Sequence, residues 1–277
     1  MGFLLPKFST VYLMRQFSGD TLQLRINKIE TVSLLGVRIH NISLSELLDL
    51  IKGMTISERK YIIANVNVHA MNLAYQFDWF RTFLNSSSVV FCDGIGVKWG
   101  ARLLGLNIKH RYTPPDWISD LCNTCVQNDF SIFFLGSLPG VAEKAAHQLR
   151  TRFPNLNVAG TFHGYFDKTK GSLENEAVIS KINSVSPDIL FVGFGMPLQE
   201  SWLRENWDRI ESNVAITGGA LFDYISGTVR RAPPWMTEHG LEWFGRLLVE
   251  PKRLWRRYIL GNPIFFWRVL LHRFSLS

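Results

Sequence analysis

A carboxylate placed to take a proton is the first sign of chemistry in this sequence. Asp93 closes the apolar run Val89–Cys92 and precedes Gly94 and Gly96. That pattern puts it at a strand–helix junction. Two roles are open to an aspartate there. It can cap the helix by accepting from backbone N–H groups, or it can act as a general base toward an acceptor hydroxyl. A second sign is glycine after apolar runs. Gly94 and Gly96, Gly136 and Gly140, Gly193 and Gly195, and Gly218 and Gly219 all fall where a run ends. Glycine there lets backbone approach a phosphate at a helix N-terminus. It also serves any tight strand-to-helix turn, so phosphate binding stays one of two readings.

Other chemistries lack their residues. Gly193-Phe194-Gly195 has Leu198 where a dinucleotide fingerprint needs its third glycine, and Gly94-Ile95-Gly96 has Trp99 there. A Walker lysine motif and a G-x-S-x-G elbow are both missing. Cys122 and Cys125 form a CxxC with no second pair in a helical stretch, and the seven histidines show no metal-ligand spacing. These read as helix-face cysteines, and no cofactor or metal is expected. The sequence has no Asp-x-Asp pair for a divalent ion on a sugar nucleotide. If a diphosphate binds, arginines and helix N-termini must hold it.

The elements that would position these residues follow from periodicity. Residues 32–39 read as a strand. Ser43 and Glu46 form a capping box before Leu47, Leu48 and Ile51. Strand-length apolar runs then fall at residues 61–64, 89–92, 132–135, 189–192 and 214–217, with helical stretches between them such as 141–153 and 176–185. Buried runs alternating with amphipathic helices imply an α/β fold, a Rossmann-like, mainly parallel sheet with helices on both faces. Ligands of such sheets sit beyond the carboxyl ends of the strands, where Asn65, Asn67, Asp93 and the glycines lie. The expected organisation is a loosely ordered lead-in at 1–30, a catalytic domain at 31–228 and a helical appendage at 229–277. Pro251 and Pro263 are expected to divide the appendage into short helices.

Charge is concentrated in that appendage. The chain of 277 residues carries a net +7, and residues 229–277 hold nine Arg or Lys against three Glu, with four of the nine Trp. A basic segment interleaved with Trp, Phe and Leu suits an anionic membrane surface; nucleic acid is the competing partner. No run approaches the roughly 20 apolar residues of a spanning helix, and the N-terminal order of charge and apolar residues is not that of a signal peptide. Three cysteines fit a reducing cytosol. The chain is expected neither to span a membrane nor to be exported.

Taken in order, the motifs resemble those of the WecG/TagA/CpsF bacterial glycosyltransferases, glycosyltransferase family 26. The resemblance covers residues 32–260. It rests on Asn65-Val66-Asn67, Asp93-Gly94-Ile95-Gly96-Val97, Arg111, Gly164-Tyr165-Phe166 and Pro187-Asp188-Ile189-Leu190. It continues through Gly193-Phe194-Gly195-Met196-Pro197-Leu198-Gln199-Glu200, Gly218-Gly219-Ala220-Leu221-Phe222-Asp223, and Gly227 followed by Arg231-Ala232-Pro233. It ends with Gly240-Leu241-Glu242-Trp243-Phe244-Gly245-Arg246 and Glu250-Pro251-Lys252-Arg253. Each motif is weak alone; their order is specific.

The resemblance implies an inverting, metal-independent transfer from a UDP-sugar donor to a polyprenyl-diphosphate-linked sugar acceptor. N-acetylmannosamine, its uronic acid and glucose are the implied donor sugars. It implies a cytoplasmic protein, peripheral on the inner face of the bacterial membrane, with the appendage touching lipid and supplying arginines. Asp93 matches the family's base. Asn67, Arg111 and Gln199 match pocket residues, and Arg246, Arg253 and Arg256 match appendage arginines near the diphosphate. Arg253 and Arg256, spaced i, i+3, are expected on one helix face. Asn65, Gly193, Gly195 and Gly218 complete the expected binding set. The family often has Thr where this chain has Asn65, a departure that bears on which sugar fits. Trp255, Tyr258, Phe265, Phe266 and Trp267 are the side chains expected to enter a bilayer. A nucleic-acid-binding protein would leave Asp93 and Gln199 without a role, and a Rossmann oxidoreductase would need a nicotinamide fingerprint that the chain lacks.

Overall fold

A computed structural model describes residues 19–275. Six parallel strands form one sheet: β3 (Tyr61–Val66), β4 (Val89–Cys92), β5 (Ser131–Gly136), β6 (Asn157–Phe162), β7 (Ile189–Gly193) and β8 (Val214–Thr217), in the order β4-β3-β8-β7-β5-β6. All five runs expected as sheet strands are present. Their side chains alternate between two cores. Ile132 and Phe134 face one; Phe133 and Leu135 face the other. The sheet is thus covered on both faces, which is why its strands read as unbroken apolar runs.

One face carries α1 (Gly19–Asn27), α2 (Leu44–Thr55), α6 (Pro114–Asn128), α7 (Val141–Arg152) and α10 (Leu221–Ile225). The other carries α3 (Val68–Gln76), α4 (Asp78–Ser86), α5 (Ile95–Leu103), α8 (Leu173–Asn183) and α9 (Leu198–Asn206). The Ser43–Glu46 capping box opens α2 as expected. Cys122 and Cys125 lie buried on α6, where burial pushes both thiols well up from their ordinary value.

The fold departs from the sequence reading at four points. Residues 32–39 are not one strand. They form a hairpin, β1 (Thr31–Leu34) and β2 (Val37–His40), whose two-residue turn Leu35-Gly36 has φ of 48° and 80°. Positive φ at both turn positions matches the twist of the flanking strands. Edge strand β6 was not anticipated: it is only partly buried, and its register shifts opposite Ile132 and Phe133. The stretch read as a lead-in contains α1, ordered by burial of Leu22 and Ile26; residues 1–18 lie outside the described residues. Pro263 does not end a helix. After α11 (Pro234–Glu238) and α12 (Glu242–Val249), α13 (Pro251–Trp255) runs through a π-helical turn, Arg256–Leu260, into α14 (Gly261–Ser275). Pro263 has no N–H for the carbonyl of Ile259, and the wider turn lies where that bond is lost.

The C-terminal helices are part of the globule. Phe265 and Val269 of α14 are fully buried, and Phe265 packs against Gly100 of α5. Asn72 donates to the Gly261 carbonyl, and Arg268 donates to Asn72. Phe265 and Tyr258 are therefore core side chains and not free to enter a bilayer, contrary to expectation. Among the described residues no helix is long and apolar enough to cross a membrane.

Candidate active site

A cleft of about 1220 Å³ lies beyond the carboxyl ends of β3, β4, β7 and β8 and is closed on its far side by the C-terminal helices. Asp93 follows β4 in its floor. The helix-cap alternative fails, because Gly94 occupies the N-cap position of α5 and Asp93 makes no cap bond. Instead its Oδ2 accepts from Asn65 Nδ2 at 2.8 Å and from Asn67 Nδ2 at 3.3 Å. Oδ1 takes neither amide.

Both amides are held in that orientation. Asn67 is the N-cap of α3, and its Oδ1 accepts from His69 N and Ala70 N. Asn65 Oδ1 accepts from the Thr217 hydroxyl at 2.9 Å. Burial pushes the Asp93 carboxyl up to about 6, and Glu242 adds to the rise; the two amides and Arg257 oppose it. A carboxylate poised near neutrality suits a general base.

The glycine turns after β7 and β8 meet on one side chain. Gln199 Oε1 accepts from Gly195 N at 3.2 Å and Gly219 N at 3.1 Å, while its Nε2 donates to Glu200 Oε1 at 2.8 Å. Gly195 (φ 84°) and Gly219 (φ 55°) hold conformations costly for other residues. Gln199 is fully buried and stands behind the cleft lining, so it shapes the wall and does not face a ligand. Glu200 is also fully buried, and burial pushes it up to about 7.

Basic side chains form the opposite wall. Arg246 of α12, Arg253 of α13 and Arg257 of the π turn line the cleft, as does Arg111 from the loop after α5. Arg246 and Arg257 are half-buried, and the buried Nε of each has no partner in the protein. Their guanidiniums lie 5.5 Å from the ring centroids of Tyr224 and Tyr258. Arg253 sits at the rim, paired with Glu250. Arg231 binds Asp116 and Glu242 and ties this segment to the start of α6.

Of the residues singled out in the sequence, Asp93, Asn65, Asn67, Arg111, Gly193, Gly195, Gly218, Arg246 and Arg253 line one cleft. Arg256 does not. It is exposed, with its guanidinium 5.4 Å from the Trp255 ring. The π turn is the reason. A wider turn rotates the residue three along off the cleft face and brings the residue four along onto it, so Arg257 takes the place expected of Arg256. Thr217, Glu242 and His69 were also missed. His69 donates to the Met196 carbonyl, and burial pushes it down to about 4, so it lines the cleft uncharged. Among the described residues no group of three His, Cys, Asp or Glu side chains is placed to hold a metal ion.

An open parallel sheet with a raised carboxylate at its carboxyl edge and guanidiniums on the opposite wall can take a proton and hold an anion, the two needs of group transfer from an anionic donor. The chain belongs to the WecG/TagA/CpsF family of glycosyl transferases, whose model matches residues 32–277. It is a glycosyltransferase. Similar curated proteins include the N-acetylglucosaminyldiphosphoundecaprenol N-acetyl-beta-D-mannosaminyltransferases of Staphylococcus aureus strains NCTC 8325 / PS 47, COL and MRSA252. Each is 29% identical over 240 residues, covering 86% of this chain and 91% of the relative.

Proposed function

We propose that this glycosyltransferase moves a sugar, with inversion, from a UDP-sugar to a saccharide carried on a polyprenyl diphosphate. N-acetylmannosamine is the sugar suggested by the relatives' names. The observation that carries the reading is a cleft with one raised carboxylate on its floor and, on its wall, guanidiniums whose buried Nε atoms have no partner.

The acceptor hydroxyl oxygen attacks the anomeric carbon while the bond from that carbon to the diphosphate oxygen breaks on the opposite side. Asp93 Oδ1 takes the hydroxyl proton and later releases it to solvent. Negative charge builds on the departing UDP. Arg246, Arg253 and Arg257 meet it, with Arg111 as a further cation. Fixed charges already in place need no reorganisation as the bond breaks, so such stabilisation often lowers a barrier more than any other single effect. Their supply of positive charge is the role a divalent ion would otherwise fill.

The acceptor's lipid gives a role to the outer face of α14. Leu260, Ile264, Trp267, Leu271 and Phe274 recur at spacings of three and four and are all exposed. They form one apolar stripe, opposite buried Phe265 and Val269. Near its start, Ile95, Trp99, Ile259, Pro263 and Phe266 line the cleft mouth. This arrangement suits a protein lying on the cytoplasmic face of a bacterial membrane, stripe inward, with the acceptor's chain entering from lipid. Removing everything after Gly227 would strip Phe265 from the core, so exposed-stripe variants such as Trp267→Ser with Leu271→Ser are the proper test of membrane contact.

The deciding experiment incubates the protein with a polyprenyl-diphosphate-linked N-acetylglucosamine acceptor, a panel of UDP-sugars and EDTA, and follows UDP release. Acceptor-dependent release from UDP-N-acetylmannosamine is expected. Release from another UDP-sugar alone would replace the donor. Release only after a divalent ion is restored would overturn the arginine account, and failure with every UDP-sugar on a folded protein would overturn the proposed substrates.

A further inference from the structure

We propose that Thr217 is a positioning residue for Asp93, acting through Asn65. The inference rests on the general-base reading of Asp93 given above. Thr217 ends β8, the strand beside β3, and it is fully buried and absent from the cleft lining. It can act on a substrate only through another side chain.

That side chain is Asn65, 4% exposed at the end of β3. The Thr217 hydroxyl donates to Asn65 Oδ1 at 2.9 Å, and Asn65 Nδ2 donates to Asp93 Oδ2 at 2.8 Å. An amide has one acceptor end and one donor end. Fixing the acceptor end on Thr217 therefore fixes the donor end on Asp93. The reversed amide would set its oxygen against a carboxylate oxygen. Asn67 is locked independently, since its oxygen caps α3. With both amides held on Oδ2, the carboxylate cannot rotate freely, and Oδ1 stays toward the acceptor. This relay needs Asn at position 65. A shorter Thr side chain there would not span from Thr217 to Asp93 in the same way.

The relay also acts on the proton. The Asn65 amide favours the ionised form of Asp93. Glu242, Arg246 and Arg257 act on Asp93 from the C-terminal wall and Cys92 lies beside it on β4. The Thr217 hydroxyl bonds Asn65 and none of these, so its loss leaves their influence in place.

The test replaces the hydroxyl with a methyl of similar shape. Thr217→Val should lower kcat about tenfold, on the scale of a small misplacement of a reacting group. It should also move the acidic limb of kcat/KM to higher pH while UDP affinity by calorimetry stays at the wild-type value. Thr217→Ser should restore both. Asn65→Ala should reproduce the shifted limb, and adding Thr217→Val to it should change nothing further. Wild-type kcat and limb in folded Thr217→Val would overturn the proposal, as would equal impairment of Thr217→Ser. Should Thr217→Val fail to fold, Asn65→Ala decides alone: a shifted limb supports the relay and an unshifted one overturns it. Asp93→Asn in parallel separates the two levels. If it turns over like wild type, the base reading falls and the relay with it. If it is inactive while Thr217→Val is unaffected, only the relay falls.

Discussion

The two walls of the cleft are built on opposite terms. On the sheet side the candidate base and its neighbours are tied, although Glu200 Oε2 behind them has no partner. Asp93 receives two amides, both amides are anchored behind, and Gln199 holds two glycine turns together. On the helical side, Arg246 Nε, Arg257 Nε and the Tyr224 hydroxyl are buried without partners. Buried polar groups left unpaired cost stability. On the proposed reading an anion completes this wall, since guanidiniums pair with anions. On that same reading the sheet supplies the base and the helices supply positive charge for a diphosphate.

The largest break of this contrast is removal of the base. Asp93→Asn keeps an acceptor for both amides but cannot take a proton. Turnover should fall by about 10²–10⁴-fold, the usual contribution of general base catalysis. UDP affinity, which belongs to the other wall, should change little. Steady-state rates and calorimetric UDP titration check this together. Loss of UDP binding in Asp93→Asn would mean the walls do not divide the work.

The next break is on the helical side. Arg257→Met should lower turnover by about 10²-fold, the order seen when one electrostatic contact to a transition state is lost. It should also weaken UDP binding, because one of the cations proposed to meet the diphosphate is gone. Arg256→Ala should leave rate and UDP affinity near wild type. The reverse ranking of these neighbours would show that the π turn does not set the face presented to the cleft.

How much of this was legible in the sequence follows the same division. The sheet side was read well, because buried parallel strands are continuous apolar runs and ligands gather at their ends. Asp93, Asn67 and the glycines fell out of that rule. The hairpin was missed because Gly36 interrupts an apolar alternation that otherwise reads as one strand. β6 was missed because an edge strand buries too little to leave a pattern. The helical side was read only as composition. Its arginines were counted correctly, but the π turn that selects Arg257 over Arg256 has no periodic signature, and Pro263 pointed to a helix end. Thr217 was invisible because its partner is a side chain on a neighbouring strand, about 150 residues away in sequence.

A smaller effect tests what holding the base costs. The Asp93 carboxyl is raised from 3.8 to about 6 in the fold. The native state therefore holds this proton more tightly than the unfolded chain. The stability it contributes is fully present below about pH 4 and is lost as pH rises through 6. Relative to wild type, Asp93→Asn should gain on the order of 1–2 kcal/mol between pH 4 and pH 8. Urea unfolding across that range reads the difference, and a flat difference would place Asp93 in a wetter site than the cleft floor.

The smallest effect asks whether the two walls sense each other. Glu242 on α12 raises the Asp93 carboxyl, and Arg257 on the π turn lowers it. Both belong to the C-terminal segment, yet they pull the base in opposite directions. Glu242→Gln should therefore move the acidic limb of kcat/KM to lower pH, and Arg257→Met should move it to higher pH. Each shift should be small, as suits a single charge near a partly solvated site. Arg231 keeps Asp116 when Glu242 is neutralised, so the segment stays tied to α6. Opposite shifts of the two limbs would mean the helical wall tunes the base as well as the leaving group. Unmoved limbs in both variants would mean the C-terminal helices stand away from Asp93 while the chemistry occurs.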